Sequence, residues 1–299
     1  MKTKTINKVI KAKLNEWLET ITDEELRKDV KNNLLVSGGA IASMLLKEDV
    51  NDYDVYIQDM DVLVRLAQYY SPGAKTVLDG RLRLDYLSKE YLDIDHNNPI
   101  CPSTGEKYVA EKYVMISNLK ENQVKLRIGG AGMRIKQEEG TKYLPIFFSQ
   151  NAISLQDDIQ IVLRFNGNPE QIHKTFDFIH ATNYFTFEDN LVLNKEALES
   201  LITKNLVYQG SLYPLTSIIR MKKFISRHWT INAGEILKIM FQISELNLRN
   251  IEVLEEQLIG VDVAYFALLI EALRSVESSS ITPSFINNLI DKIFNEYED

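Results

Sequence analysis

The chain has 299 residues, 45% apolar and 25% charged, a balance that fits a soluble globular protein of one large or two modest domains. No apolar run approaches the ~18 residues a membrane helix needs, so no membrane partner is expected, and the lone cysteine, Cys101, excludes an internal disulfide and fits the cytoplasm. A net charge of −8 gives no global attraction for nucleic acid, so a polynucleotide partner would have to meet a local basic patch.

In chain order, Ile6, Val9, Ile10, Leu14, Trp17, Leu18 and Ile21 recur at helical spacing. The charged, amphipathic character of this segment is not that of a signal peptide. Thr22-Asp23-Glu24-Glu25 reads as a capping box that opens a second helix to about Asn32. Leu34-Leu35-Val36 reads as a buried strand, broken by Ser37-Gly38-Gly39. A helix is predicted from Ala40 to Lys47, an alternating strand from Asp52 to Ile57, and a helix from Asp59 to Tyr70 that Ser71-Pro72-Gly73 stops.

Residues 74 to 165 read as strands and irregular chain, with turns at Asn97-Asn98-Pro99, Cys101-Pro102-Ser103 and Gly129-Gly130. The clearest strands are Val124 to Ile128 and Asp158 to Phe165. Helical patterns dominate from about Asn194: Lys195 to Thr203, Leu215 to Arg227, Gly234 to Leu246, Val261 to Ser275, and Pro283 to Tyr297. The last is introduced by a capping threonine and a proline in the first turn. The predicted plan is an N-terminal helical segment (1–32), a mixed α/β domain (33–190) with an extended insertion at about 73–150, and a helical domain (191–299).

The constellation that carries chemistry is Val36-Ser37-Gly38-Gly39-Ala40-Ile41 followed by Asp52-Tyr53-Asp54-Val55-Tyr56-Ile57. Carboxylates two apart on a strand project to one face, and Tyr53 to the other. Side by side they repel unless a cation lies between them, and Mg²⁺ bound with a triphosphate suits such a pair. Paired glycines between strand and helix let backbone N–H groups approach a phosphate, with the helix N-terminus behind them. Ser37 is a further hydroxyl donor.

This arrangement resembles the polymerase-beta-like nucleotidyltransferase superfamily, and within it the tRNA CCA-adding enzymes and bacterial poly(A) polymerases. Their first motif is a Gly-Gly turn followed by an Asp-x-Asp strand. Phe176-Asp177-Phe178-Ile179-His180-Ala181-Thr182-Asn183 resembles their nucleotide-contacting Arg-Asp-Phe-Thr-Ile-Asn segment. Ile218-Ile219-Arg220-Met221-Lys222-Lys223-Phe224 is similar to the helix that flanks their nucleotide base. The resemblance spans roughly residues 34 to 231. It implies an α+β fold of nucleotidyltransferase type with a helical C-terminal half. It also implies two Mg²⁺ ions on Asp52 and Asp54, a nucleoside triphosphate on Ser37, Gly38 and Gly39, and further nucleotide contacts from Asp177, Asn183, Arg220, Lys223 and Arg227. The implied reaction is template-independent nucleotidyl transfer, with a tRNA or other RNA 3′ end as acceptor.

Two departures qualify it. The family's Arg-Asp in the first helix is Ala42-Ser43 here, which removes a contact to the nucleotide. The third acidic position reads Gln160, and glutamine is neither a base nor a hard metal ligand of carboxylate quality; Asp158 is the candidate replacement. An acceptor on a protein or small molecule, or a non-catalytic nucleotide-binding or interaction protein that keeps the fold, are the alternatives. Arg220, Lys223 and Arg227 also fit a solvated face over a core stripe of Ile218, Met221, Ile225 and Trp229, and Asp177 also fits a structural pairing. Gly129-Gly130-Ala131-Gly132 lacks the lysine of a phosphate loop and reads as a hairpin turn. His173 and His180 read as structural, and Ser37 lacks a recognisable His/Asp pair for a hydrolase triad.

Overall fold

The computed structural model describes residues 2–71, five strands between 74 and 134, 142–149, 151–248, 250–257, 269, 272–274, 276 and 282–297. The expected turns at 97–99, 101–103 and 129–132, and most of the expected helix at 261–275, lie outside these residues. The chain divides into two compact units: Met1–His173 with His180–Ile202, and Lys174–Ile179 with Thr203–Asp299.

The first unit is built on an eight-stranded mixed sheet. Helix α1 (Thr3–Glu19) forms because Ile6, Ile10, Leu14 and Trp17 share one side, and all four are fully buried. Such burial contributes on the order of 2 kcal/mol per side chain. Trp17 Nε1 donates to the Tyr70 hydroxyl at 2.8 Å, so the indole is buried without an orphaned N–H. Helix α2 (Glu24–Asn33) starts one residue later than the expected box: Asp23, not Thr22, is the cap, its carboxylate accepting from Leu26 N–H at 2.9 Å. Strand β1 (Leu34–Ser37) is buried throughout and turns at Gly38 into α3 (Gly39–Leu46), which a left-handed Lys47 ends. Strand β2 (Tyr53–Ile57) leads to α4 (Met60–Tyr70), capped by Asp59.

Within residues 74–134, β3 (Ala74–Val77), β4 (Arg81–Leu84), β5 (Met115–Asn118) and β6 (Val124–Arg127) form a separate antiparallel sheet in that order. Strands β7 (Met133–Arg134), β8 (Pro145–Phe148), β9 (Ala152–Leu155) and β10 (Ile159–Val162) return to the main sheet. A short helix, α5 (Pro169–His173), follows, and β11 (Tyr184–Thr186) and β12 (Asn190–Val192) complete the sheet, whose order is β12-β11-β1-β2-β10-β9-β8-β7. Its pairings are antiparallel except β2 with β10. Helix α6 (Lys195–Thr203) closes this unit.

One face of the sheet is covered by the first helices. Tyr53, Val55, Ile57, Ile159, Ile161, Val36 and Phe185 share a core with Ile6, Trp17, Val30, Ile41 and Leu63. Alternation sends Asp54, Tyr56, Gln160 and Ser154 to the opposite face.

The second unit's buried apolar residues include Phe178, Leu206, Tyr208, Tyr213, Trp229 and Ile239. It holds the parallel pair β13 (Asn205–Leu206) and β14 (Thr230–Ile231), then α7 (Pro214–Ile225), α8 (Ala233–Ser244), α9 (Ile251–Gln257) and a last helix, Pro283–Tyr297. Edge-to-face rings join Phe178 to Tyr208 and to Phe224. The α+β plan with a helical C-terminal part is therefore as the sequence predicts. The expected stripe along α7 holds only at its far end: Trp229, beyond the helix, is buried and Met221 half-buried, but Ile218 and Ile225 are exposed, and the buried residues of the helix are Pro214, Thr216 and Ser217. Among the described residues no helix is long and apolar enough to cross a membrane.

Candidate functional site

The turn between β1 and α3 is set by Gly38. Its φ of +91° and ψ of −145° lie where only glycine is relaxed, and a β-carbon there would stand 3.3 Å from Asp54 Oδ2. The glycine thus brings the backbone against the carboxylate on the neighbouring strand. Gly39 is different: it is exposed, and a β-carbon on it would meet nothing within 4 Å.

Three hydrogen bonds anchor the turn. Gly38 N–H donates to the Ala181 carbonyl at 3.1 Å. Ser37 is fully buried, and its hydroxyl lies 2.9 Å from the Asn183 carbonyl and 3.2 Å from that of Ala181. A hydroxyl has one proton, and a carbonyl can only accept, so the Ser37 proton is committed there. His173 Nε2, 2.9 Å from the same Oγ, is then the donor to it. Burial pushes the imidazole down to about 4, which keeps it neutral. Ser37 and Gly38 therefore spend their donors on the fold. The donors left over at the turn are the N–H groups of Gly39, Ala40 and Ile41, which helix geometry leaves without an i−4 partner and which no side chain caps.

Asp52, exposed, immediately precedes β2, and Asp54, half-buried, is its second residue; Tyr53 between them is buried in the opposite, helix-covered face. Gln160 lies directly beside Asp54 in the parallel pair and donates from Nε2 to Ser154 Oγ at 3.4 Å. The position at which the resemblance implies a third acid thus holds an amide, on the same face as Asp54. Asp158 does not lie on the strand. It sits at φ +61° in the turn before β10, where alternation no longer fixes its direction, and its carbonyl accepts Tyr53 N–H at 2.7 Å. Burial raises the phenol of Tyr53, and the Asp158 charge adds to it; at Tyr143, also in the helix-side core, burial and then the hydrogen-bonded Glu16 carboxylate raise the phenol.

Among the described residues no three or more His, Cys, Asp or Glu gather as a metal cluster. The two carboxylates at Asp52 and Asp54 nonetheless suit a hard cation that keeps water and takes its remaining oxygens from a triphosphate. That donor set, with the uncapped start of α3 beside Asp54, fits a Mg²⁺–nucleotide better than a metal held by protein alone.

Asn183 is buried. Its Oδ1 accepts from Asn194 N–H at 2.9 Å, and its Nδ2 has no hydrogen-bond partner among the described residues. Asp177 belongs to the second unit, where Oδ2 accepts from Arg220 Nη1 at 2.9 Å and Oδ1 from Phe178 N–H at 3.0 Å. Lys223 is exposed on α7, and Arg227 is exposed beyond its end. Sequence reasoning missed the His173–Ser37 contact; 136 residues separate the pair, and no spacing rule announces it.

Fold and site define an α+β protein whose first strand–turn–helix meets an Asp-x-Asp strand. The description "Gabija anti-defense 2 family protein" matches residues 8–204, about two thirds of the chain, and the chain belongs to that family. A relative called Gabija anti-defense 2, from Bacillus phage SPbetaL7, is 25% identical over 116 residues, which are 38% of this chain and 28% of the relative. Similar solved structures include a Thermotoga maritima CCA-adding enzyme complexed with tRNA, 12% identical, covering 95% of this chain and 60% of that one, with a TM-score of 0.37. A Bacillus stearothermophilus CCA-adding enzyme in complex with CTP is 12% identical, covering 87% and 52%, also with a TM-score of 0.37. The chain spans less than two thirds of the length of each of these proteins.

Proposed function

We propose that this protein is a nucleotidyltransferase that moves a nucleoside monophosphate from a nucleoside triphosphate to an acceptor hydroxyl. The observation that supports it best is the meeting of Gly38 with Asp54 Oδ2 at the uncapped start of α3. The N–H groups of Gly39, Ala40 and Ile41 bind the phosphates, and Asp52 and Asp54 hold Mg²⁺ against them. The acceptor oxygen bonds to the α-phosphorus, the bond to the β-phosphate bridging oxygen breaks, and pyrophosphate leaves. Bound Mg²⁺ supplies charge neutralisation and lowers the acceptor hydroxyl's pKa. Gln160 cannot take the proton, so it passes to solvent. Two acceptors have support: an RNA 3′ end, from the sequence motifs, and a hydroxyl on a Gabija component, from the family's description.

A second reading, a nucleotide-binding protein without turnover that acts on the Gabija system by association, is favoured by Gln160 beside Asp54. The test incubates the protein with Mg²⁺ and each α-labelled nucleoside triphosphate, with tRNA in one arm and purified Gabija proteins in the other, beside an Asp52→Asn/Asp54→Asn variant. Label transferred by wild type alone supports catalysis, and the labelled arm identifies the acceptor. Magnesium-dependent binding without transfer, lost in the variant, supports the second reading. No transfer and no binding overturns both.

A further inference from the structure

The first thirteen residues contain five lysines, Lys2, Lys4, Lys8, Lys11 and Lys13, and no acid, in a chain of net charge −8. Lys13 turns toward the rings of Tyr53 and Tyr143, 5.7 and 5.4 Å from their centroids. Lys4, Lys8 and Lys11 recur at i, i+4 and i+7 on the side of α1 away from Ile6, Ile10 and Leu14, and Lys2 precedes them at the N-cap. None of these four takes part in an ion pair or side-chain hydrogen bond among the described residues. No ion pair or side-chain hydrogen bond within the described fold accounts for them. Like charges at this spacing repel, and cations near a helix start oppose its dipole. Helices α2, α4 and α8 each carry an acid in the first turn, and α1 carries none.

We propose that this face of α1 docks the phosphate backbone of a nucleic-acid strand. Lys4 to Lys11 spans roughly 10 Å of helix, close to three phosphate steps of ~3.4 Å along one strand. A membrane is a poorer fit, because the apolar side of α1 is already spent in the core. A protein is a poorer fit as well: the face consists of lysines with Thr3, Thr5 and Val9 around them, without the aromatic and arginine anchors that protein interfaces favour. The surface is separate from the nucleotide site, since α1 packs on the face of the sheet that buries Tyr53 and Asp54 lies on the other. It therefore stands or falls independently of the proposed transfer reaction.

The experiment measures binding of fluorescent single-stranded RNA, single-stranded DNA and duplex DNA by the full chain between 50 and 300 mM salt. Wild type is compared with Lys4→Gln/Lys8→Gln/Lys11→Gln and with a control of equal charge loss, Lys47→Gln/Lys195→Gln/Lys292→Gln. The expected result is wild-type binding whose log–log salt slope shrinks by about 2 on a single strand, or nearer 3 on a duplex, in the α1 variant. Affinity at 50 mM salt falls about tenfold or more, and the control is unchanged. The RNA and DNA arms show which strand is preferred. The proposal is overturned if wild type binds none of them, if both variants weaken equally, or if only polyglutamate or phosphatidylserine vesicles are bound through these lysines.

Discussion

Gly38 and Asp54 are held so closely that a β-carbon on the glycine would stand 3.3 Å from the carboxylate Oδ2, on a backbone with φ of +91°. Gly38→Ala therefore meets strain and a charged neighbour together, and it is expected to destabilise the chain by about 1–3 kcal/mol. Gly39→Ala meets nothing within 4 Å and sits at the start of a helix, so stability should be unchanged or up to ~1 kcal/mol higher. In the proposed site the added methyl sits at the first α3 N–H, so triphosphate binding is expected to weaken. Chemical denaturation with nucleotide titration checks the pair of variants. A Gly39→Ala chain as stable as wild type that binds triphosphate equally well would remove α3 from the proposed site.

Gln160 beside Asp54 gives the metal reading a direct test. Asp54→Asn should reduce magnesium-dependent triphosphate binding by roughly tenfold or more, because an amide is a poorer ligand for a hard cation than a carboxylate. Gln160→Glu should do the opposite, lowering stability without Mg²⁺ and tightening Mn²⁺ or Mg²⁺ binding. Calorimetric titration of the metal into both variants reads this directly. Unchanged metal affinity in Gln160→Glu would show that the third position does not face the cation.

Much of the first unit was legible because its elements carry strong local signals. The Ile6–Trp17 stripe, the Gly38 break and the Asp52–Ile57 alternation fix helix, turn and strand to within three residues. The sheet partners were not legible: β11 and β12 have three residues each, and β2 pairs in parallel with β10 across some hundred residues, so no local period reports either. On α7 the period misled. Ile218 and Ile225 recur with apolar spacing, yet the buried side holds Thr216 and Ser217, because the small residues allow close packing and Ser217 Oγ returns to the Tyr213 carbonyl at 3.4 Å. The division between units fell at Ile202/Thr203, with Lys174–Ile179 joined to the second unit, because Phe178 is a core residue there.

Asp177 and Arg220 form a partly buried ion pair at 2.9 Å, with the Asp177 side chain far less exposed than the Arg220 side chain. Both were candidates for nucleotide contact, and the pairing gives each a role within the second unit. Arg220→Ala leaves a buried carboxylate short of its partner, at an expected cost of about 1–3 kcal/mol. Asp177→Asn should cost less, since the amide retains an acceptor for Phe178 N–H. A double-mutant cycle by chemical denaturation measures the coupling. Loss of nucleotide affinity with no loss of stability in Arg220→Ala would instead place the guanidinium on the ligand.

His173 makes stability depend on pH. Burial holds its imidazole down to about 4, against an ordinary value near 6.5. Between these values the unfolded chain takes up a proton that the folded chain refuses, so stability rises with pH in this window. The contribution is fully present above about 6.5 and is lost as pH falls toward 4. Protonation itself would not break the contact with Ser37, because Nε2 already donates there. The loss comes from charging a half-buried ring. Denaturation midpoints of wild type and His173→Gln, measured at pH 7.5, 6 and 5, should converge as the pH falls, because the variant lacks the titrating group. Wild-type and variant curves that stay parallel across the window would mean that His173 titrates normally and that solvent reaches the Ser37 turn.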